Sequence, residues 1–183
     1  MALKLDPLDS LPEQNRKYFA LCEEKLGFVP NVLKAHSFKI EKLDAFTTLY
    51  NELMLAESNL SKLDREMIAV TVSAINKCYY CLAAHGAAIR QLSGDPKLGD
   101  MIVMNFRVAN LNSKQRAMLE FAEKVTQKSA EIEQSDRDIL TKEGFSDRDI
   151  WDITNVTAFF NMTNRVASAT AMKPNDEYHS QYR

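Results

Sequence analysis

The sequence predicts an all-α fold. Three observations carry that expectation. Apolar residues recur three and four apart through most of the chain, several segments open on serine-plus-acid capping patterns, and no stretch reads as a pair of alternating strands. Five glycines and five prolines are few for 183 residues, which argues against a turn-rich all-β protein. That length fits one domain, and 45% hydrophobic residues are enough for a real core.

The elements follow in order. A first helix is expected to open around Asp9 or Ser10, with Pro12 in its first turn, and to stop before Gly27. Its apolar positions Phe19, Cys22 and Leu26 share a face. Gly27-Phe28-Val29-Pro30 reads as a turn, and a short helix should run through Leu33 to His36. Phe38 to Ala56 reads as an amphipathic helix with Leu43, Phe46, Leu49, Tyr50, Leu53 and Met54 facing inward. Ser61, Ser135 and Ser146 are each followed three residues later by an acid (Asp64, Asp138, Asp149), the pattern of a capping box. Helices are therefore expected from Ser61 to Asn76-Lys77, from Ser135 to Glu143, and from Ser146 to Met172 before Pro174. Between them fall helices from Cys78 to Ser93, Pro96 to Phe106, and Ser113 to about Lys128. The tail after Lys173 is polar and expected to be loosely held. A weak internal echo pairs Asp64-Arg65-Glu66-Met67-Ile68 with Gln115-Arg116-Ala117-Met118-Leu119, where Ala117 stands in the place of Glu66.

Charge excludes several function classes. The net charge is −2, and acids and bases alternate as on a solvated helical surface. No basic stripe points to nucleic acid, and no basic amphipathic segment points to an anionic membrane. The first eleven residues carry Lys4, Asp6 and Asp9 and lack the apolar run of a signal peptide, so a cytoplasmic location is expected. Three cysteines are too few for a disulfide-stapled scaffold. Two of them lie three apart, which in a reducing compartment points to redox or metal chemistry.

Cys78 and Cys81 sit at the start of a helix, where free N–H groups and the positive end of the dipole stabilise a thiolate. His85 is four residues beyond Cys81, about 6 Å along the axis, but roughly 10 Å from Cys78. The spacing makes Cys81 the buried, base-assisted thiol and Cys78 the more exposed partner. Glu66 lies on the preceding helix, and a fold-back at Asn76-Lys77 would set it beside the cysteines as a proton acceptor. Zinc is a rival occupant of two thiolates and an imidazole, yet all three lie on one helix with no second cluster. Cys22 is expected in the core, His36 in a structural role, and His179 in solvent. Asn161, Asn164 and Arg165 share one helical side and are expected to make polar contacts between helices or subunits. Tyr79 is expected either to shape substrate access or to pack against a neighbouring subunit. No nucleotide or flavin fingerprint is present and no cofactor is expected, so reducing power must come from an external thiol system.

The order Glu66, Cys78, Cys81, His85 resembles, with every spacing kept, the signature of alkyl hydroperoxidase D-like proteins of the carboxymuconolactone decarboxylase superfamily. Gly27-Phe28-Val29-Pro30-Asn31, Gly144-Phe145-Ser146-Asp147 and Phe160-Asn161-Met162-Thr163-Asn164-Arg165 are similar to its peroxidase-related branch. The resemblance implies an all-helical bundle with a degenerate internal helical repeat. It would form a single domain over residues 1–183: N-terminal helices to 57, a motif-bearing core over 58–110, C-terminal helices over 111–173, and the tail from 174. It also implies homo-oligomers (dimer, trimer or hexamer) and thiol-dependent reduction of a hydroperoxide. Carried over, Cys81 attacks the peroxide, Cys78 resolves it as a disulfide, and Glu66 and His85 relay protons. One departure stands out: Tyr80 occupies the place of a family histidine, and a phenol with an ordinary pKa of about 10 is a poor proton shuttle at neutral pH. Two further readings stay open, a redox relay or sensor exchanging disulfides with a partner protein, and a cysteine-independent acid–base reaction of the decarboxylase type.

Overall fold

The computed structural model describes residues 1–5 and 10–183. Among the described residues the chain forms nine α-helices and no strand: α1 Glu13–Leu26, α2 Asn31–His36, α3 Ile40–Met54, α4 Lys62–Ile75, α5 Tyr79–Ser93, α6 Pro96–Asn105, α7 Ser113–Lys128, α8 Gln134–Lys142 and α9 Asp147–Ala169. The expected opening at Asp9 lies outside the described residues. α1 begins at Glu13 with Pro12 in the cap position, and Gly27, at φ 84°, ends it in the left-handed region that glycine enters freely.

α4 is the hub. Every residue from Arg65 through Ser73 is buried, so this helix is covered on all sides rather than along one stripe. It packs against α3, α5, α6, α7 and α9. Met67, Ile68, Val70 and Val72 join Met118 and Leu119 of α7 and Ile153, Val156 and Phe160 of α9 in the main core. Each such side chain contributes roughly 1.5–3 kcal/mol by leaving water. The start of α4 is fixed by a reciprocal capping box between Ser61 and Asp64, and α9 starts on the same device at Ser146 and Asp149.

The turn from α4 to α5 positions the sulfurs. Lys77 adopts φ 54°, the Lys77 N–H donates to Ala74 O at 3.2 Å, and the Cys78 N–H donates to Ser73 O at 2.9 Å. This is a Schellman closure with lysine where glycine is usual, at a cost of roughly 1–2 kcal/mol. It folds α5 back along α4, so residues after Cys78 face residues before Ser73. α6 then seats closely on α5: a Cβ at Gly99 would lie 2.8 Å from Arg90 Cγ and 3.2 Å from Gly86 O.

Four expectations need correction. α8 is capped by Glu133 with Asp136, not by Ser135 with Asp138. Asp136 is held 2.7 Å from Lys124 of α7, and that ion pair sets the register. Leu49 is 45% exposed, whereas Leu43 and Met54 on the same helix are buried. α9 ends at Ala169 rather than Met172, because Ala171 takes φ 50° and the Met172 N–H closes on Ala167 O. The tail is tied down. Asn175 Oδ1 accepts from the Asn31 N–H at 2.8 Å, and Asn175 Nδ2 donates to Val29 O at 3.2 Å. The buried Arg90 guanidinium donates to Tyr178 O and Gln181 O at 2.8 and 3.1 Å. Among the described residues no helix is long and apolar enough to cross a membrane.

Candidate active site

Two helices, α4 and α5, bring the four expected residues together, and α9 packs against them. Glu66 projects from the second turn of α4 and His85 from the second turn of α5. His85 Nδ1 lies 2.6 Å from Glu66 Oε2, both side chains being largely buried. The carboxylate accepts from Nδ1 and so fixes the ring, leaving Nε2 free to exchange a proton. Phe160 of α9 meets the imidazole edge to face, with centroids 4.7 Å apart. Cys78 caps the N-terminus of α5 and Cys81 lies in its first turn, and neither is in a disulfide.

The expectation that Cys78 is the more exposed thiol fails. Cys78 is 1% exposed and Cys81 4%. Ala167 in the last turn of α9 and Met172 just beyond it, which sequence spacing alone does not place, pack over the helix start in one apolar cluster with both sulfurs. What separates the two is the cavity. A cavity of about 580 Å³ is lined by Cys81, His85 and Glu66, and Cys78 is not among its walls.

The two sulfurs titrate as a coupled pair. Cys78 is pulled down to about 6, first by the Cys81 thiol donating to it, and then, against its burial, by the Cys81 backbone N–H, the Ser168 hydroxyl and the charge of His85. The same shared hydrogen bond, reinforced by burial, pushes Cys81 up, while the side chains of Asn164 and Ser73 at its sulfur act the other way. The resting charge is thus drawn to Cys78, while the sulfur open to a substrate is Cys81. These are two faces of one coupled acid, in which the first proton belongs to the pair.

The remaining residues sort cleanly. Tyr80 does not point its phenol at the sulfurs as a shuttle: its oxygen accepts from the Val32 N–H at 3.0 Å, fastening α2 to α5. Burial pushes that phenol well above its usual range. His36 is structural, its Nδ1 donating to Val32 O at 2.8 Å and its ring stacked on Phe46. Cys22 is half-buried on the cavity wall rather than in the core, and burial pushes its thiol up. His179 is exposed as expected, with Nε2 3.0 Å from the Tyr79 hydroxyl. Sequence reading missed the aromatic wall: Tyr18 of α1, Phe46 and Tyr50 of α3, Phe159 and Phe160 of α9, and Tyr178 of the tail. Their only sequence signal is apolar helical periodicity, which does not distinguish a cavity wall from a core.

Comparison with known proteins agrees with this arrangement. Residues 41–97, which hold the whole Glu66-to-His85 stretch, match the model of the carboxymuconolactone decarboxylase family. An uncharacterized peroxidase-related protein from Silicibacter sp. TM1040 is 69% identical, with a TM-score of 0.97 over 100% of this chain and 95% of its own. The alkylhydroperoxidase AhpD core protein from Ralstonia eutropha JMP134, also an uncharacterized peroxidase-related protein, is 39% identical, with a TM-score of 0.94 over 100% of this chain and 96% of its own. The apo debrominase Bmp8 shares the fold at 18% identity, with a TM-score of 0.74 over 97% of each chain. No curated protein sequence matches. On these similarities the chain belongs to the alkyl hydroperoxidase D-like family of the carboxymuconolactone decarboxylase superfamily.

Proposed function

We propose that the protein is a thiol peroxidase that reduces organic hydroperoxides through a Cys78–Cys81 dithiol–disulfide cycle. The observation that carries this reading is the shared cavity: Cys81, His85 and Glu66 open onto it and Cys78 lies behind. In the first step the proton that the pair retains settles on Cys78, and the Cys81 sulfur attacks the outer peroxide oxygen. The S–O bond forms as the O–O bond breaks. His85, protonated and held by Glu66, gives the departing alkoxide its proton. In the second step the Cys78 thiol attacks the Cys81 sulfenic acid, the S–S bond forms, and water leaves. An external dithiol or a disulfide-reductant protein then returns the pair to the reduced state. The largely apolar wall suits an organic hydroperoxide better than hydrogen peroxide. Exposed Trp151 and Met162 on α9 support self-association into a homo-oligomer.

The test is consumption of cumene hydroperoxide with excess dithiol. Cys81→Ser is expected to abolish turnover, and Cys78→Ser to stop it after one equivalent. Full activity in Cys81→Ser would end this reading, and activity surviving loss of both cysteines would favour acid–base chemistry by Glu66 and His85 alone. The engagement of Tyr80 with α2 favours a second reading, a redox relay with little turnover of its own. Its signature is a mixed disulfide trapped on Cys78 in Cys81→Ser.

A further inference from the structure

Three amides, the half-buried Asn161 and Asn76 and the buried Asn164, run in an ordered chain from the surface of α9 toward the sulfurs. Asn161 Nδ2 donates to Thr126 Oγ1 and Thr157 O, at 3.0 and 3.1 Å, which uses both of its hydrogens. Asn161 Oδ1 accepts from Arg165 Nη1 at 2.9 Å and from Asn76 Nδ2 at 3.0 Å. Asn76 spends its second hydrogen on Asn164 Oδ1, also at 3.0 Å. With its oxygen fixed, the Asn164 amide turns its NH₂ toward α4, where Nδ2 donates to Ser73 Oγ at 3.0 Å. Ser73 in turn donates to Ala69 O at 2.6 Å, so its hydroxyl is free to accept from Asn164.

An amide carries two N–H donors, and Ser73 accounts for one of those on Asn164. Asn164 itself is 1% exposed, so its second hydrogen has no access to solvent. Its acceptor Ser73 takes the Cys78 N–H on its own carbonyl at 2.9 Å, so the Asn164 amide lies against the first turn of α5, where Cys81 is the ionisable side chain that feels it. The same face of α9, three and four residues on, presents Ala167 to the sulfur cluster and Ser168 to Cys78.

We propose that Asn164 is a catalytic residue whose side-chain amide donates to the sulfur anion at Cys81, and that Asn76 and Asn161 are positioning residues that aim it. A sulfur anion arises at Cys81 twice in the cycle proposed above. It forms when Cys81 attacks the peroxide, and again when an external thiol attacks Cys78 and Cys81 leaves. A donor that is already oriented and buried stabilises that charge without reorganising when it appears. The Phe160-to-Arg165 stretch thereby acquires a chemical role at the reaction centre. This inference rests on the dithiol reading, but its test reads the thiol rather than peroxide turnover.

The experiment is iodoacetamide alkylation of Cys81 against pH, in a Cys22→Ser, Cys78→Ser background that leaves one thiol. Asn164→Ala should slow alkylation at pH 7 by roughly 10- to 100-fold and raise its pH midpoint, the size expected for a hydrogen bond to a charged group. Asn164→Asp, nearly the same shape, should slow it further because a carboxylate repels the anion. Asn161→Ala, which acts only through its neighbours, should shift it less. An unchanged midpoint in Asn164→Ala and Asn164→Asp overturns the proposal and leaves the amide a purely structural link. Should neither variant fold, the half-buried Asn161 carries the test, and an unchanged midpoint in Asn161→Ala overturns the proposal in the same way. A shifted midpoint in a protein that fails to reduce hydroperoxides would refute the peroxidase reading and leave this inference standing.

Discussion

α4 and α7 are two copies of one device put to different uses. Each opens on a capping box, Ser61 with Asp64 and Asn112 with Gln115, and the boxes approach each other where Gln115 Nε2 donates to Asp64 Oδ1 at 3.4 Å. The next residue in each is an arginine that reaches back to carbonyls of the preceding segment, Arg65 to Leu53 O and Ala56 O, and Arg116 to Ala109 O. Two positions further on, Met67 and Met118 both enter the core. Between them lies the difference. Glu66 is 7% exposed and Ala117 8%, so a carboxylate and a methyl group occupy equivalent depths. The helix pair therefore packs without an acid at that position. What Glu66 has and Ala117 lacks is a partner, His85, on the helix that follows.

That contrast is open to test by exchange. Glu66→Ala makes α4 resemble α7, and hydroperoxide reduction should fall by roughly 10²–10⁴-fold, the scale of a lost acid–base group. The thermal midpoint should stay within a few degrees, because the vacated space borders the cavity. Unfolding on this substitution would show that the carboxylate holds the scaffold, and the functional account of Glu66 would fail. The reverse exchange, Ala117→Glu, buries an acid with no histidine opposite. It should destabilise the fold by on the order of 3 kcal/mol or more, read by urea denaturation, with the chemistry of the remaining molecules intact. A neutral outcome would mean that this layer tolerates unpaired charge and that the Glu66–His85 pairing says little.

The smallest expected effect separates the cysteines by pH. An acid whose pKa is lowered is ionised above that pKa and protonated below it. With Cys78 pulled down to about 6, alkylation of the pair should be on a plateau above neutral pH and fall about tenfold per unit as pH drops below 6. Cys22, pushed up by its burial, should react only at alkaline pH. Coincident profiles measured by peptide mapping would contradict the coupled-pair picture.

Much of this was legible in the chain because it is encoded locally. The capping boxes at Ser61 and Ser146 and the glycine stop at Gly27 each depend on residues within a turn or two, and the spacing from Glu66 to His85 spans only two consecutive helices and the turn between them. The failures are long-range. Burial of Cys78 depends on Ala167 and Met172, ninety residues away, and the Asp136 register on Lys124 of another helix. The tail looked loose because its residues are polar, yet Asn175 satisfies the open N-terminus of α2 and Arg90 grips the Tyr178 carbonyl. Polarity marked groups that need hydrogen-bond partners, and the fold supplies partners that local pattern does not reveal. The cavity is illegible for the same reason, since its aromatic wall is gathered from α1, α3, α9 and the tail.

The central claim is that the cavity-facing sulfur, and not the one that draws the resting charge, meets the peroxide. Dimedone trapping of sulfenic acid tests it most directly, after one equivalent of cumene hydroperoxide is added to each single-cysteine variant of the pair. The account predicts rapid labelling of Cys81 in Cys78→Ser and little labelling of Cys78 in Cys81→Ser. Equal or faster labelling of Cys78 would contradict it, making the thiolate at the helix start the nucleophile and the cavity a route to something else.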